Sequence, residues 1–98
     1  MKKILLCCSA GFSTSILVEK MYNYFDDNDI DVRLEAVPVA QVKQIYNEWN
    51  IILVAPQMAY AFDELSALGS KPIKVIPADI YQNGSGKEVA IMALEMFK

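Results

Sequence analysis

Most of the chemistry this chain can offer lies in one run of residues: Cys8, Ser9, Ala10, Gly11, Phe12, Ser13, Thr14 and Ser15. A thiol leads, and small residues, a glycine and several hydroxyls follow. Small residues and Gly11 let a backbone curl so that its N–H groups converge on an anion, and a helix starting behind the loop adds its positive end. Ser9, Ser13, Thr14 and Ser15 offer hydroxyls to phosphate oxygens. The same helix end stabilises a thiolate and lowers a cysteine pKa from about 8.5. Cys8 is therefore placed to attack phosphorus and hold the phosphoryl group on sulfur. The competing reading is a small buried hydrophobe in an ordinary connection. It suits Cys7, but for Cys8 it is outweighed by the coincidence of thiol, glycine and hydroxyls.

Other cysteine and phosphate chemistries need residues that are missing. The chain has no histidine, which removes Ser-His and Cys-His pairs, imidazole metal sites and phosphohistidine on this chain itself. A cysteine phosphatase would place an arginine six positions after its nucleophile to clamp the phosphate, and Thr14 stands there. Without a guanidinium the loop can hold phosphate but is poorly equipped to hasten its hydrolysis, which suits a carrier. A receiver domain needs acidic residues after its first strand and an aspartate after its third, where this chain has Cys7, Cys8, Ser9 and Ala55, Pro56, Gln57. Adjacent cysteines also lack the two-residue spacing of a dithiol redox motif. Neighbours on a strand point to opposite faces, so a bond between Cys7 and Cys8 is disfavoured, and reduced thiols in a cytoplasm fit best.

The loop must be positioned by flanking elements, and the hydrophobic pattern supplies them. Residues 4–8 and 51–55 are wholly apolar, as central parallel strands covered on both faces are. In residues 31–37, Val32, Leu34 and Ala36 alternate with Asp31, Arg33 and Glu35, an edge-strand pattern. Residues 71–77 alternate around Ile73 and Val75 between Pro72 and Pro77, a second edge. Helices are predicted over 13–27, with Ile16, Leu17, Met21, Tyr24 and Phe25 on one face, and over 39–46 after Pro38, with Val42, Ile45 and Tyr46 inward. A third is predicted over 58–68, with Met58, Ala61, Phe62 and Leu65 at helical spacing and Gly69 as a left-handed cap. A last helix, 89–97, follows a capping box of Ser85 and Glu88. Asp79 and Tyr81 are assigned to the loop after the fourth strand.

Strands alternating with helices imply right-handed crossovers and one single-domain α/β fold over residues 1–98. The expected form is a flavodoxin-like three-layer sandwich, a parallel sheet of order 2-1-3-4 with helices on both faces. Ligands in such sheets sit beyond the carboxyl ends of strands one and three, where the order switches, and Cys8 is at that point. Phe12, Met58 and Tyr60 fall near its rim as candidate docking residues, although Phe12 and Met58 fit core packing equally well.

The bulk properties agree. The chain has 98 residues, 9 Lys and Arg against 12 Asp and Glu, and no basic stripe, so nucleic acid is not an expected partner. No apolar stretch approaches the ~20 residues of a membrane span, and a domain of this size is expected to act as a monomer.

Residues 8–17, CSAGFSTSIL, together with Pro56, Gln57, Met58, Ala59 and Tyr60, resemble the enzyme IIB component of the lactose, cellobiose and chitobiose branch of the bacterial sugar phosphotransferase system. The likeness covers essentially the whole chain, with no departure from the family pattern in the loop. It implies that Cys8 accepts phosphate from the phosphohistidine of a separate IIA protein. Cys8 then passes it to a sugar bound by the membrane permease IIC, a β-linked disaccharide such as cellobiose, chitobiose or lactose. On this resemblance Ser9 to Ser15 form the phosphate loop, Gln57 and Tyr60 border the site, and no cofactor or metal is needed. The protein would work in the cytoplasm and meet the membrane component transiently.

Overall fold

A computed structural model describes residues 2–8, 12–69, 71–83 and 85–97, without the side chains of residues 12–15. Strands β1 (Lys2–Cys7), β2 (Val32–Val37), β3 (Ile51–Val54) and β4 (Ile73–Val75) form one sheet of order β2-β1-β3-β4. All three pairings are parallel, with Ile4 opposite both Leu34 and Ile51, and Val54 opposite Val75. The expected topology is borne out, and the two wholly apolar strands are the central ones. Their alternation feeds two cores, because Ile4, Leu6, Ile51 and Leu53 face one layer and Leu5, Cys7, Ile52 and Val54 the other.

Helices α1 (Phe12–Asp27) and α5 (Gly86–Glu95) cover the first face. Helices α2 (Val39–Ile45) and α3 (Phe62–Ser66), with Trp49, cover the second. Leu17, Met21 and Phe25 of α1 are buried at helical spacing, each worth about 1.5–3 kcal/mol in removed apolar surface. Ile16, predicted on that face, is 54% exposed, so the buried stripe begins one residue later. Tyr22 closes the outer edge of β2. Its hydroxyl donates to the Leu34 carbonyl at 2.8 Å and accepts from the Leu34 amide at 2.7 Å, groups that would otherwise template a foreign strand.

Other differences have local causes. Val37 is buried and Ala36 exposed, because Val37, paired with Cys7, lies on the face of β2 that meets the second core beside Val42. The continuous helix expected over 58–68 is instead a 3-10 segment, Pro56–Ala61, followed by the short α3. Met58, at φ −107° and ψ 15°, leaves helical geometry there and buries its side chain. α3 ends on Ala67 in a right-handed conformation, so Gly69 lies beyond its cap. Residues expected in a loop after β4 form a further helix, α4 (Ala78–Gln82). Ser85 does cap α5, accepting from the Glu88 amide at 3.4 Å, and the helix begins at Gly86 rather than Val89.

Two turns define the first layer. α1 ends with bonds from Ile30 N–H to the Phe25 carbonyl and from Asp29 N–H to the Asp26 carbonyl, a Schellman closure with Asp29 at φ 54°. A side chain in that region is strained, and here its negative charge adds to Asp26 and Asp27 at the negative end of the helix. Asp29→Gly should therefore raise stability by about 0.5–1 kcal/mol, read as an upward shift of the urea midpoint at constant slope. At the other close approach, a Cβ on Gly86 would lie 2.7 Å from the Lys20 carbonyl carbon and 2.8 Å from the Met21 nitrogen. Those are backbone atoms and cannot rotate aside. Gly86→Ala should cost about 2–3 kcal/mol in the same measurement by prising α5 from α1.

Candidate functional site

Cys8 follows the last residue of β1, and its position is set by bonds that continue the ladders. Its N–H donates to the Val37 carbonyl at 3.0 Å, while the Cys7 carbonyl accepts from the Ala55 N–H at 2.9 Å. The cysteine pair is thus held between the carboxyl ends of β2 and β3, at the topological switch point. Neither cysteine is in a disulfide, and Cys8 is 5% exposed. The two side chains join the same core cluster rather than opposite faces, because the chain leaves strand geometry after Cys7. Strand alternation therefore does not govern Cys8.

Ser9, Ala10 and Gly11, and the side chains of Phe12, Ser13, Thr14 and Ser15, lie outside the described residues. The backbone of α1 starts at Phe12, so its N-terminal turn follows Cys8 closely in the chain, as the anion-cradle reading requires. Gln57 lies in the first turn of the 3-10 segment, two residues beyond Ala55, on the carboxyl side of the sheet. Its Nε2 donates to the Tyr81 hydroxyl at 3.2 Å. Tyr60 is 78% exposed, with its hydroxyl 3.7 Å from the Met58 sulfur, whereas Met58 itself is buried. Of the rim residues, Met58 is thus a packing residue and Tyr60 a surface one. Asp79 is exposed in the first turn of α4.

Sequence reasoning missed the partnership of Gln57 with Tyr81. The available signal was Pro77 before Ala78, a helix-start pattern like the one read correctly at Pro38. Trp49 was also missed. It is 4% exposed, with the Arg33 guanidinium 5.6 Å from its ring centre. A cavity of about 340 Å³ beside it is lined by Lys3, Arg33, Glu35, Ile45, Glu48 and Trp49. Lys3 precedes Cys8 by five residues of nearly extended chain, roughly 16 Å, so this cavity is separate from the thiol. Among the described residues no three His, Cys, Asp or Glu side chains gather as a metal site.

Burial pushes the Cys7 thiol up to about 11 from an ordinary 9.0, and the charge of the neighbouring Cys8 adds to the effect. Cys7 is thus held neutral across the physiological range.

A doubly wound parallel sheet with a thiol at its switch point defines the class: a flavodoxin-like α/β protein with a cysteine where such folds bind ligands. The family is equally plain. The chain belongs to the PTS system, Lactose/Cellobiose specific IIB subunits, whose family model matches residues 3–90. As such it is a phosphotransferase component of a sugar-transport system. It is 33% identical over 99 residues to the oligo-beta-mannoside-specific EIIB component of Bacillus subtilis (strain 168), covering 98% of this chain and 96% of that protein. It is 30% identical to the cellobiose-specific EIIB component of Lactococcus lactis subsp. lactis (strain IL1403), covering 94% of this chain and 93% of that one. The solution structure of the cellobiose-specific IIB component of Borrelia burgdorferi superposes with TM-score 0.85 at 28% identity, covering 98% of this chain and 91% of that one. The lactose-specific IIB domain of Streptococcus pneumoniae shares the fold, with TM-score 0.88 at 15% identity over 99% of this chain and 98% of that one. Among the described residues no helix is long and apolar enough to cross a membrane.

The raised Cys7 value makes stability depend on pH. As pH rises, the unfolded chain gives up its Cys7 proton first, so the stabilisation is complete below pH 9.0 and is lost as pH climbs through about 11. Unfolding free energies of the native protein and of Cys7→Ala should therefore converge by roughly 2–3 kcal/mol over that window. A gap that stays constant with pH would show that the fold does not hold Cys7 neutral.

Proposed function

We propose that Cys8 is the phosphocysteine of a sugar phosphotransferase relay. The observation that carries this reading is a cysteine bonded between the carboxyl ends of β2 and β3, in a chain that belongs to the IIB family. In the first step the Cys8 thiolate attacks phosphorus on the phosphohistidine of a IIA protein. The N–P bond breaks as the S–P bond forms, and the departing imidazole takes a proton. In the second step a hydroxyl of a sugar held by the permease IIC attacks the same phosphorus. An O–P bond forms, the S–P bond breaks, the hydroxyl proton leaves to a base, and the thiolate is restored.

Phosphoryl transfer depends mainly on alignment and on neutralising charge over the equatorial oxygens. Backbone N–H groups of the loop Ser9, Ala10, Gly11, Phe12, Ser13, Thr14 and Ser15, with its hydroxyls and the start of α1, are assigned that work. Gln57 and Tyr60 border the site in this reading. The near-complete burial of Cys8 favours a carrier, because limited access keeps bulk water from the S–P bond between encounters. The missing arginine at Thr14 favours it for the same reason. The exposed ring of Tyr60 is suited to a transient docking face, since a relay must release each partner. The chain would act as one cytoplasmic domain and a monomer.

The sugar is assigned as β-linked, because the relatives include proteins named for oligo-beta-mannoside and cellobiose. A relative named for galactose shows that these names vary at similar identity, in keeping with specificity residing in the permease.

Incubation with a phosphorylated IIA protein, followed by intact-mass analysis, tests the reading. The native protein should gain one phosphate, released by iodine as an S–P bond is, and Cys8→Ser should gain none. Lack of any gain beside a donor that phosphorylates another IIB protein would leave a non-catalytic binding module as the better account.

A further inference from the structure

We infer that Tyr81 is a positioning residue for phosphoryl transfer, acting through its hydroxyl on the carboxamide of Gln57; the inference rests on the carrier reading of Cys8. β3 lies between β1 and β4, so the chain segments leaving the three strands sit in the same order at the carboxyl edge. Cys8 leaves the first, Gln57 follows the second and Tyr81 the third. The Ala55 amide is one hydrogen bond, 2.9 Å, from the Cys7 carbonyl, so the segment bearing Gln57 starts directly beside the cysteine pair. Ile76 N–H donates to the Val54 carbonyl at 2.8 Å, and Pro77 then opens α4. Tyr81 N–H donates to the Pro77 carbonyl at 3.0 Å, so Tyr81 is returned over the strand ends by the first turn of that helix.

Tyr81 packs against both core clusters, as befits a ring at the end of the sheet where the two layers meet. Its ring is thereby held, and its hydroxyl accepts from Gln57 Nε2 at 3.2 Å. Gln57 is exposed, and a hydrogen bond to an exposed side chain does little for stability. Its effect is on orientation. A carboxamide has two N–H donors on one nitrogen, and committing one to Tyr81 fixes the direction of the other and of the carbonyl oxygen. On a segment that starts beside the cysteine pair, the second N–H is assigned as a neutral donor for a phosphoryl oxygen. Such a donor assists transfer without the tight hold of a guanidinium, which suits a group that must leave again.

The test is single-turnover transfer from a phosphorylated IIA protein to the native chain, Tyr81→Phe, Gln57→Ala and the double variant. Tyr81→Phe keeps the packed ring and removes only the hydroxyl. Its maximal transfer rate should fall about 3- to 10-fold at unchanged half-saturating donor concentration and unchanged Tm. Gln57→Ala should fall at least as far, and the double variant should fall no further than Gln57→Ala. Transfer by Tyr81→Phe at the native rate overturns the assignment, as do losses that multiply in the double variant, a change confined to half-saturation, or a loss matched by a lower Tm. Absence of phosphate on the native chain is a separate result, which overturns the carrier reading and this assignment with it.

Discussion

The site depends on β1 being locked from both sides up to the residue where its ladder stops. Hydrogen bonds run from it to β2 and β3, and apolar side chains cover both of its faces. The last two locks fall on the cysteines themselves, where Cys8 donates to Val37 and Cys7 accepts from Ala55. The backbone that orients the Cys8 thiol therefore cannot shift without breaking bonds in two strands at once. In the proposed relay the thiol must present the same geometry to a donor and to an acceptor of different shape. The central strand supplies that constancy, and the edge strands protect it. Tyr22 occupies the open edge at Leu34, and Pro72 and Pro77 flank the short β4.

The fold sets the electrostatics of Cys7, the first of the two adjacent cysteines. Cys7 ends the strand, fully buried, and its thiol is pushed up by loss of solvent and by the charge of its neighbour. A neutral Cys7 adds no charge of its own beside Cys8, where the proposed relay brings in a phosphoryl group. These 98 residues hold no histidine, so the imidazole of the proposed relay is not one of them.

Much of this was legible in the sequence because period and punctuation agree there. Ile4 to Leu6 and Ile51 to Val54 carry no alternation, and only a central parallel strand explains that. The reading of the loop from Cys8 to Ser15 rests on a different ground, the coincidence of a thiol, a glycine and clustered hydroxyls. The errors occur where a few residues answer to tertiary contacts instead of to their own pattern. Met58 departs from helical angles to bury its side chain, which divides one expected helix into a 3-10 segment and a short α3. α4 has five residues, too few for an apolar stripe to reveal, and its ring at Tyr81 is held by both cores at once. Val37 shares its face of β2 with Arg33 and Glu35 and is buried only because that face meets the second core beside Val42, a tertiary contact the pattern does not show.

In the proposed carrier role, Cys8 has two opposed demands to reconcile. A phosphate on sulfur must survive until the acceptor arrives, which favours a thiol withdrawn from water, and yet the sulfur must be reached twice in each cycle. Burial in the second core meets the first demand. Its location at the sheet's carboxyl edge meets the second, because the surrounding segments project there from strand ends and not from the packed middle of the sheet. The β1 ladder holds what must stay fixed, and the short segment after β3 and helix α4 lie at the edge where the proposed partners would approach. Neither is long enough to be stable alone, so in that role an exchange of partners there would leave the two cores beneath undisturbed.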